Sequence, residues 1–141
     1  MKNIITSAIF LLLLFPMVYA QTQQPPSEKF DQYVAEVFIG DGVSQMSPET
    51  LKYAYVKKMY DNRIHFDSYS AANIVAKGYE NLSSVPLNTT YNEALQRDAV
   101  FDVATFNPLK YNFDYHARAA QVFVFDGTTT VMIIYPQSIS Q

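Results

Sequence analysis

Apolar side chains are spaced along this chain in three rhythms, and each predicts a different kind of element. The first is an uncharged run, Ile4-Ile5-Thr6-Ser7-Ala8-Ile9-Phe10-Leu11-Leu12-Leu13-Leu14-Phe15, preceded by one basic residue, Lys2, and closed by Pro16. It is shorter than the about 20 apolar residues that a membrane-crossing helix needs. Val18 and Ala20 place small side chains just ahead of Gln21, so residues 1–20 read as a secretory signal peptide cleaved after Ala20. An uncleaved anchor is disfavoured, because a polar stretch follows at once and no basic cluster flanks the run.

The second rhythm is helical. After a polar, proline-containing leader at 21–27 (QTQQPPS), expected to be disordered, Phe30, Tyr33, Val34, Val37 and Phe38 recur at helical spacing. Their aromatic and β-branched content also suits a strand, which leaves 28–39 open between the two until Gly40-Asp41-Gly42 ends it. A second helix is expected from Ser47 as cap and Pro48 as first residue, with Leu51, Ala54, Tyr55, Lys58 and Met59 pointing inward. Ser70 can cap a short helix to Lys77 that Gly78 closes in the left-handed conformation. Thr90-Tyr91-Asn92-Glu93 has the spacing of a capping box and predicts one more helix, through about Asp98.

The third rhythm is alternation. Ile64 and Phe66 alternate with His65 and Asp67, predicting a short strand at 63–67. Leu109, Tyr111, Phe113 and Tyr115 alternate with Lys110, Asn112, Asp114 and His116. The stretches Gln121–Phe125 and Thr128–Tyr135 flank Asp126-Gly127, the preferred filling of a two-residue type I′ hairpin turn. Helices first and strands last imply an α+β fold, with N-terminal helices packed on a C-terminal three-stranded antiparallel meander. One globular domain at 28–136 and a polar tail at 137–141 complete the layout.

The hairpin departs from ordinary alternation. Phe123, Phe125, Met132 and Ile134 emerge on one side and Val122, Val124, Val131 and Ile133 on the other. A sheet wetted on one face would carry polar residues there. Phe123, Phe125, Met132 and Ile134 are therefore candidate interaction residues, for self-association or for docking on an envelope protein, should the helices leave one face open.

Three segments resemble a known group. Phe106-Asn107-Pro108-Leu109-Lys110-Tyr111-Asn112-Phe113, followed by Val124-Phe125-Asp126-Gly127-Thr128 and Ile134-Tyr135-Pro136-Gln137, resembles the C-terminal part of short exported proteins of Bacteroidota-type bacteria. The likeness spans Tyr91 to Gln137. It implies a bacterial exported protein, and it brings no activity, substrate or site residue with it.

Composition narrows the choice of function. The whole chain of 141 residues carries a formal charge of −3, and loss of Lys2 with the signal makes the exported form −4. An acidic domain lacks the broad basic surface that nucleic acid or anionic lipid requires, so neither is an expected partner. Cysteine is absent, which excludes thiol catalysis, thiolate metal sites and a lipoprotein anchor, and suits a periplasmic or secreted bacterial protein. His65-Phe66-Asp67 and Asp114-Tyr115-His116 are mirror-image pairs that could converge on a metal ion were their strands neighbours. Their alternation instead places His65, Asp67, Asp114 and His116 toward water. No nucleophile elbow, phosphate loop or zinc-protease motif is present, and no cofactor is implied. The chain thus reads as a non-catalytic interaction or structural protein of the bacterial envelope. The alternative is a small ligand-, glycan- or metal-binding periplasmic protein, for which a concave pocket near His65 and His116 would be the sign.

Overall fold

The computed structural model describes residues 23–137. The expected signal at 1–20, the first two leader residues and positions 138–141 of the tail lie outside the described residues. Within them the chain folds as α+β, helices first and most of the sheet last.

The segment left open between helix and strand is a helix, α1 (Phe30–Val37), whose buried face is Phe30, Tyr33, Val34 and Val37. Its backbone closes its own hydrogen bonds, ending with Phe38 N–H on the Val34 carbonyl at 2.8 Å. A one-turn helix, α2 (Gly42–Gln45), follows. The long helix α3 (Leu51–Arg63) starts three residues later than Ser47 and Pro48 suggested, because Thr50 is the cap and accepts from the Tyr53 N–H. The buried face of the helix differs as well. Its inward side chains are Tyr53, Val56, Met59 and Tyr60, whereas Leu51 is 91% exposed and Tyr55 39%.

α3 runs directly into strand β1 (Ile64–Ser68), and the fourth helix, α4 (Ala71–Lys77), has the expected ends: Ser70 accepts from Asn73 N–H and Gly78 closes it at φ +61°. The last strands are β2 (Glu80–Asn81), β3 (Gln121–Val124) and β4 (Thr130–Ile134). The sheet order is β1-β4-β3-β2, with β1–β4 and β3–β4 antiparallel and β2–β3 parallel.

The meander is therefore corrected in one strand. Residues 109–115 do not join this sheet. Asn107 caps a 3₁₀ turn at Pro108–Lys110, and the following backbone pairs with the 86–88 loop, through Asn88 N–H to the Lys110 carbonyl (2.7 Å) and Asn112 N–H to the Pro86 carbonyl (2.8 Å). The alternation still tells most of what goes inside, since Leu109, Tyr111 and Phe113 are buried and Asn112, Asp114 and His116 exposed, but Lys110, expected outward, is buried as well.

The helix expected from Thr90 is a single turn organised by Asn92, whose side chain accepts from Ala94 N–H and donates to the Glu36 carbonyl. The leader is also corrected. Gln23 pairs with Phe66 on the outer edge of β1 by two backbone bonds of 2.8 and 2.6 Å, Pro25 is buried, and the Tyr60 hydroxyl donates to the Pro26 carbonyl. Two prolines hold this stretch extended at low entropic cost.

The β3–β4 turn differs as well. Thr128 N–H reaches the Phe125 carbonyl and Phe125 N–H the Thr130 carbonyl, so the loop is 126–129. Only Gly127, at φ +70°, takes a positive φ there, as a type II turn requires and type I′ does not. Replacing Gly127 with valine should cost about 1–3 kcal/mol, since a β-branched residue is strained at that φ. A urea midpoint equal to wild type would show that the loop can adopt another conformation.

Both faces of the hairpin are covered from within. Phe123, Phe125, Met132 and Ile134 join the main core with Phe66, Phe106 and the helices. Val124, Val131 and Ile133 form a smaller cluster covered by Tyr69, Ile74 and Tyr79, from α4 and its flanks.

Candidate functional site

The candidate interaction residues are thus core. Phe123 and Phe125 are 6% and 1% exposed, and Met132 and Ile134 are closed to solvent, so no docking patch lies at these positions. The two His–Asp pairs are also kept apart in role. His65 and Asp67 lie opposite Ile133 and Val131 in the sheet register. Asp67 accepts from Ser68 N–H, and Asp114 accepts from His116 N–H in a turn. Among the described residues no three His, Asp or Glu side chains are grouped as metal ligands.

Charged chemistry is concentrated in two other places. The first is buried. Lys110, 5% exposed, sends its ammonium to Asp98 Oδ1 at 2.6 Å and to Glu36 Oε1 at 3.3 Å. Asn107 donates from Nδ2 to Glu36 Oε2 at 2.8 Å and to the Tyr33 carbonyl at 3.1 Å, while its Oδ1 accepts from Leu109 N–H. The Tyr111 hydroxyl donates to Asp98 Oδ2, and burial first, then the Asp98 charge, pushes the Tyr111 phenol up to about 12. Arg97 bonds the Leu82 and Val85 carbonyls and lies 5.3 Å over the Tyr111 ring. Each member answers another, and the network ties α1 to the irregular 82–111 segment. The Phe106–Phe113 stretch therefore supplies the centre of this tie, a structural role.

The second place is open. A groove of about 410 Å³ lies along the last turns of α3, lined by Tyr55, Lys58, Met59, Asn62 and Arg63 together with Tyr135, Pro136 and Gln137. Arg63 is fixed there by two backbone acceptors, Nε donating to the Tyr135 carbonyl (2.7 Å) and Nη2 to the Tyr115 carbonyl (2.8 Å). Its cation also works against the burial that raises the pKa of the Tyr115 hydroxyl. Among the described residues no carboxylate lines the groove, and neither Lys58 nor Arg63 forms an ion pair. Asp61 nearby is engaged by Lys57 at 3.1 Å.

Two half-exposed tyrosines form the walls, Tyr55 at 39% and Tyr135 at 42%. Each is braced by a histidine: His116 lies parallel to Tyr55, with centroids 6.3 Å apart, and His65 meets Tyr135 edge to face at 5.1 Å. The two histidines singled out in the sequence thus each support an aromatic ring that lines the groove.

Sequence reasoning missed this site for a definite reason. Tyr55 and Lys58 read as part of the buried stripe of α3, whereas the helix packs on the core through Tyr53, Val56, Met59 and Tyr60 and leaves them at the surface. Arg63 and Tyr135 are joined only by tertiary pairing, including Tyr135 N–H to the Arg63 carbonyl at 2.8 Å. Comparison with protein-family models, curated proteins and solved structures finds no match to this chain.

Proposed function

We propose that this chain is an exported, non-catalytic binding protein of the bacterial envelope, and that the groove at the end of α3 holds a small ligand. The observation that carries this reading is the pairing of two cations without an ion-pair partner among the described residues, Lys58 and Arg63, with two solvent-facing tyrosines in a chain of net charge −3. Two neighbouring cations in an acidic protein can draw an anion even where one of them also braces backbone carbonyls, and tyrosines supply stacking area at low entropic cost. Export rests on the apolar run with its cleavage-type ending at Ala20.

A protein-docking role is the second reading. It is supported by an apolar groove of about 340 Å³ between α1 and the start of α3, where Ile39 and Val43 stand 45% and 61% exposed.

A fragment screen by two-dimensional NMR tests the first reading, using neutral, anionic and cationic small molecules. Anionic ring compounds are expected to shift the amides of Tyr55, Asn62, Arg63 and Tyr135. A screen in which these amides stay silent, or in which hits gather around Ile39 and Val43 instead, removes the groove as the binding site.

A further inference from the structure

The donors and acceptors left unused in the groove specify the ligand more closely, given that the groove is a binding site at all. Arg63 has five N–H donors, and the edge formed by Nε and Nη2 is spent on the Tyr135 and Tyr115 carbonyls. What remains without a protein acceptor among the described residues is the end fork, one hydrogen on each terminal nitrogen, and a second hydrogen on Nη1. That fork matches the two coplanar oxygens of a carboxylate. Because the guanidinium is already anchored on its other edge, little rotamer freedom is lost when the fork is used.

The position of the groove on the helix separates carboxylate from phosphate. Lys58, Met59, Asn62 and Arg63 belong to the second half of α3, the negative end of the helix dipole. Phosphate sites are commonly built at the opposite end of a helix, where free backbone N–H groups and the positive pole meet a dianion. Here a dianion would face the helix's terminal carbonyls, with only Arg63 and Lys58 to offset them. A monoanion suits this balance.

The rest of the lining selects for hydroxyl groups on a ring. Asn62 gives its Nδ2 hydrogen to the Lys58 carbonyl, so its Oδ1 is left as an acceptor, to be met by a ligand donor. Tyr55 and Tyr135 offer faces on which the C–H side of a saturated ring can lie, as well as hydroxyls at the rim. We propose that the groove recognises the carboxylate of a uronic acid, free or at the end of a glycan. In this assignment Arg63 grips the carboxylate, Lys58 adds charge at the rim, Asn62 accepts from a ring hydroxyl, and Tyr55 and Tyr135 hold the ring.

The test titrates the purified protein with D-glucuronate, D-glucose and D-glucose 6-phosphate while following the groove amides by NMR. Glucuronate is expected to bind at least about tenfold more tightly than either of the others, and to weaken as salt is raised. Arg63→Lys keeps the charge and loses the fork, and should weaken glucuronate by about tenfold while leaving the comparison with glucose 6-phosphate narrowed or reversed. Should Arg63→Lys fail to fold, the wild-type ranking decides. Glucose 6-phosphate or glucose binding the groove as tightly as glucuronate overturns the carboxylate assignment and leaves the groove standing as a binding site. Silence toward all three sugars, with fragments still mapping to the groove, overturns the uronate alone.

Discussion

Replacing Phe106 with alanine is expected to remove about 4 kcal/mol of stability, the upper part of the range for deleting a buried aromatic ring. Phe106 is 1% exposed and sits among four other rings: Phe125 at 5.1 Å, Tyr111 at 5.2 Å, Phe101 at 6.1 Å and Phe66 at 6.2 Å between centroids. These rings come from the sheet, from the 3₁₀ segment and from the irregular loop, so the void cannot be closed by moving one element. A domain of this size has about 5–15 kcal/mol in total, and the variant should melt far below wild type. The urea midpoint measures the effect. A loss under about 1.5 kcal/mol would mean that the surrounding rings collapse into the space, at odds with dense packing of this cluster.

The second large effect concerns the buried ion network. Asp98→Ala should cost about 3 kcal/mol, because it leaves the Lys110 ammonium with Glu36 alone and the Tyr111 hydroxyl unpaired. Lys110→Met should cost much less, about 1 kcal/mol, since it keeps the buried stem and the two carboxylates it abandons are partly exposed and can be hydrated. The double variant should then resemble Lys110→Met, a non-additivity that a double-mutant cycle reads directly. Equal costs for the two single variants, summing in the double, would show that the pair contributes independently and that the ammonium is not held by Asp98.

The elements that could be read from the sequence are those whose ends and faces are set locally. Ser70 and Gly78 bracket α4 through their own side chain and backbone, and Ile64 to Asp67 alternates because β1 has one covered face. The 109–115 segment marks the limit of such reading. Its alternation reports which side chains go inside, correctly for Leu109, Tyr111 and Phe113, but carries nothing about which backbone it pairs with. Pro108 and the Asn107 cap divert it to the 86–88 loop. Thr90 and Glu93 likewise have the spacing of a helix start, yet Asn92 is drawn to the Glu36 carbonyl, Arg97 to Leu82 and Val85, and Asp98 to Lys110. Those tertiary demands outweigh a local cap. The groove was legible only in fragments, as two histidines and an aromatic-rich composition, because its anchoring residue and its second wall are 72 positions apart in the chain.

The thin cover over the second face of the sheet has a consequence for handling and for life in the cell. Val124, Val131 and Ile133 are roofed by Ile74 of the seven-residue helix α4 and by Tyr69 and Tyr79 at its flanks, and α4 buries none of its own side chains fully. A unit with so few contacts opens at a lower free energy than the whole molecule unfolds. Detaching it would bare a valine and isoleucine strip while the aromatic core stays intact. Clumping of this protein should therefore begin from a nearly native species at temperatures below its melting point, and a clamp on α4 should suppress it without raising the global melting temperature in proportion.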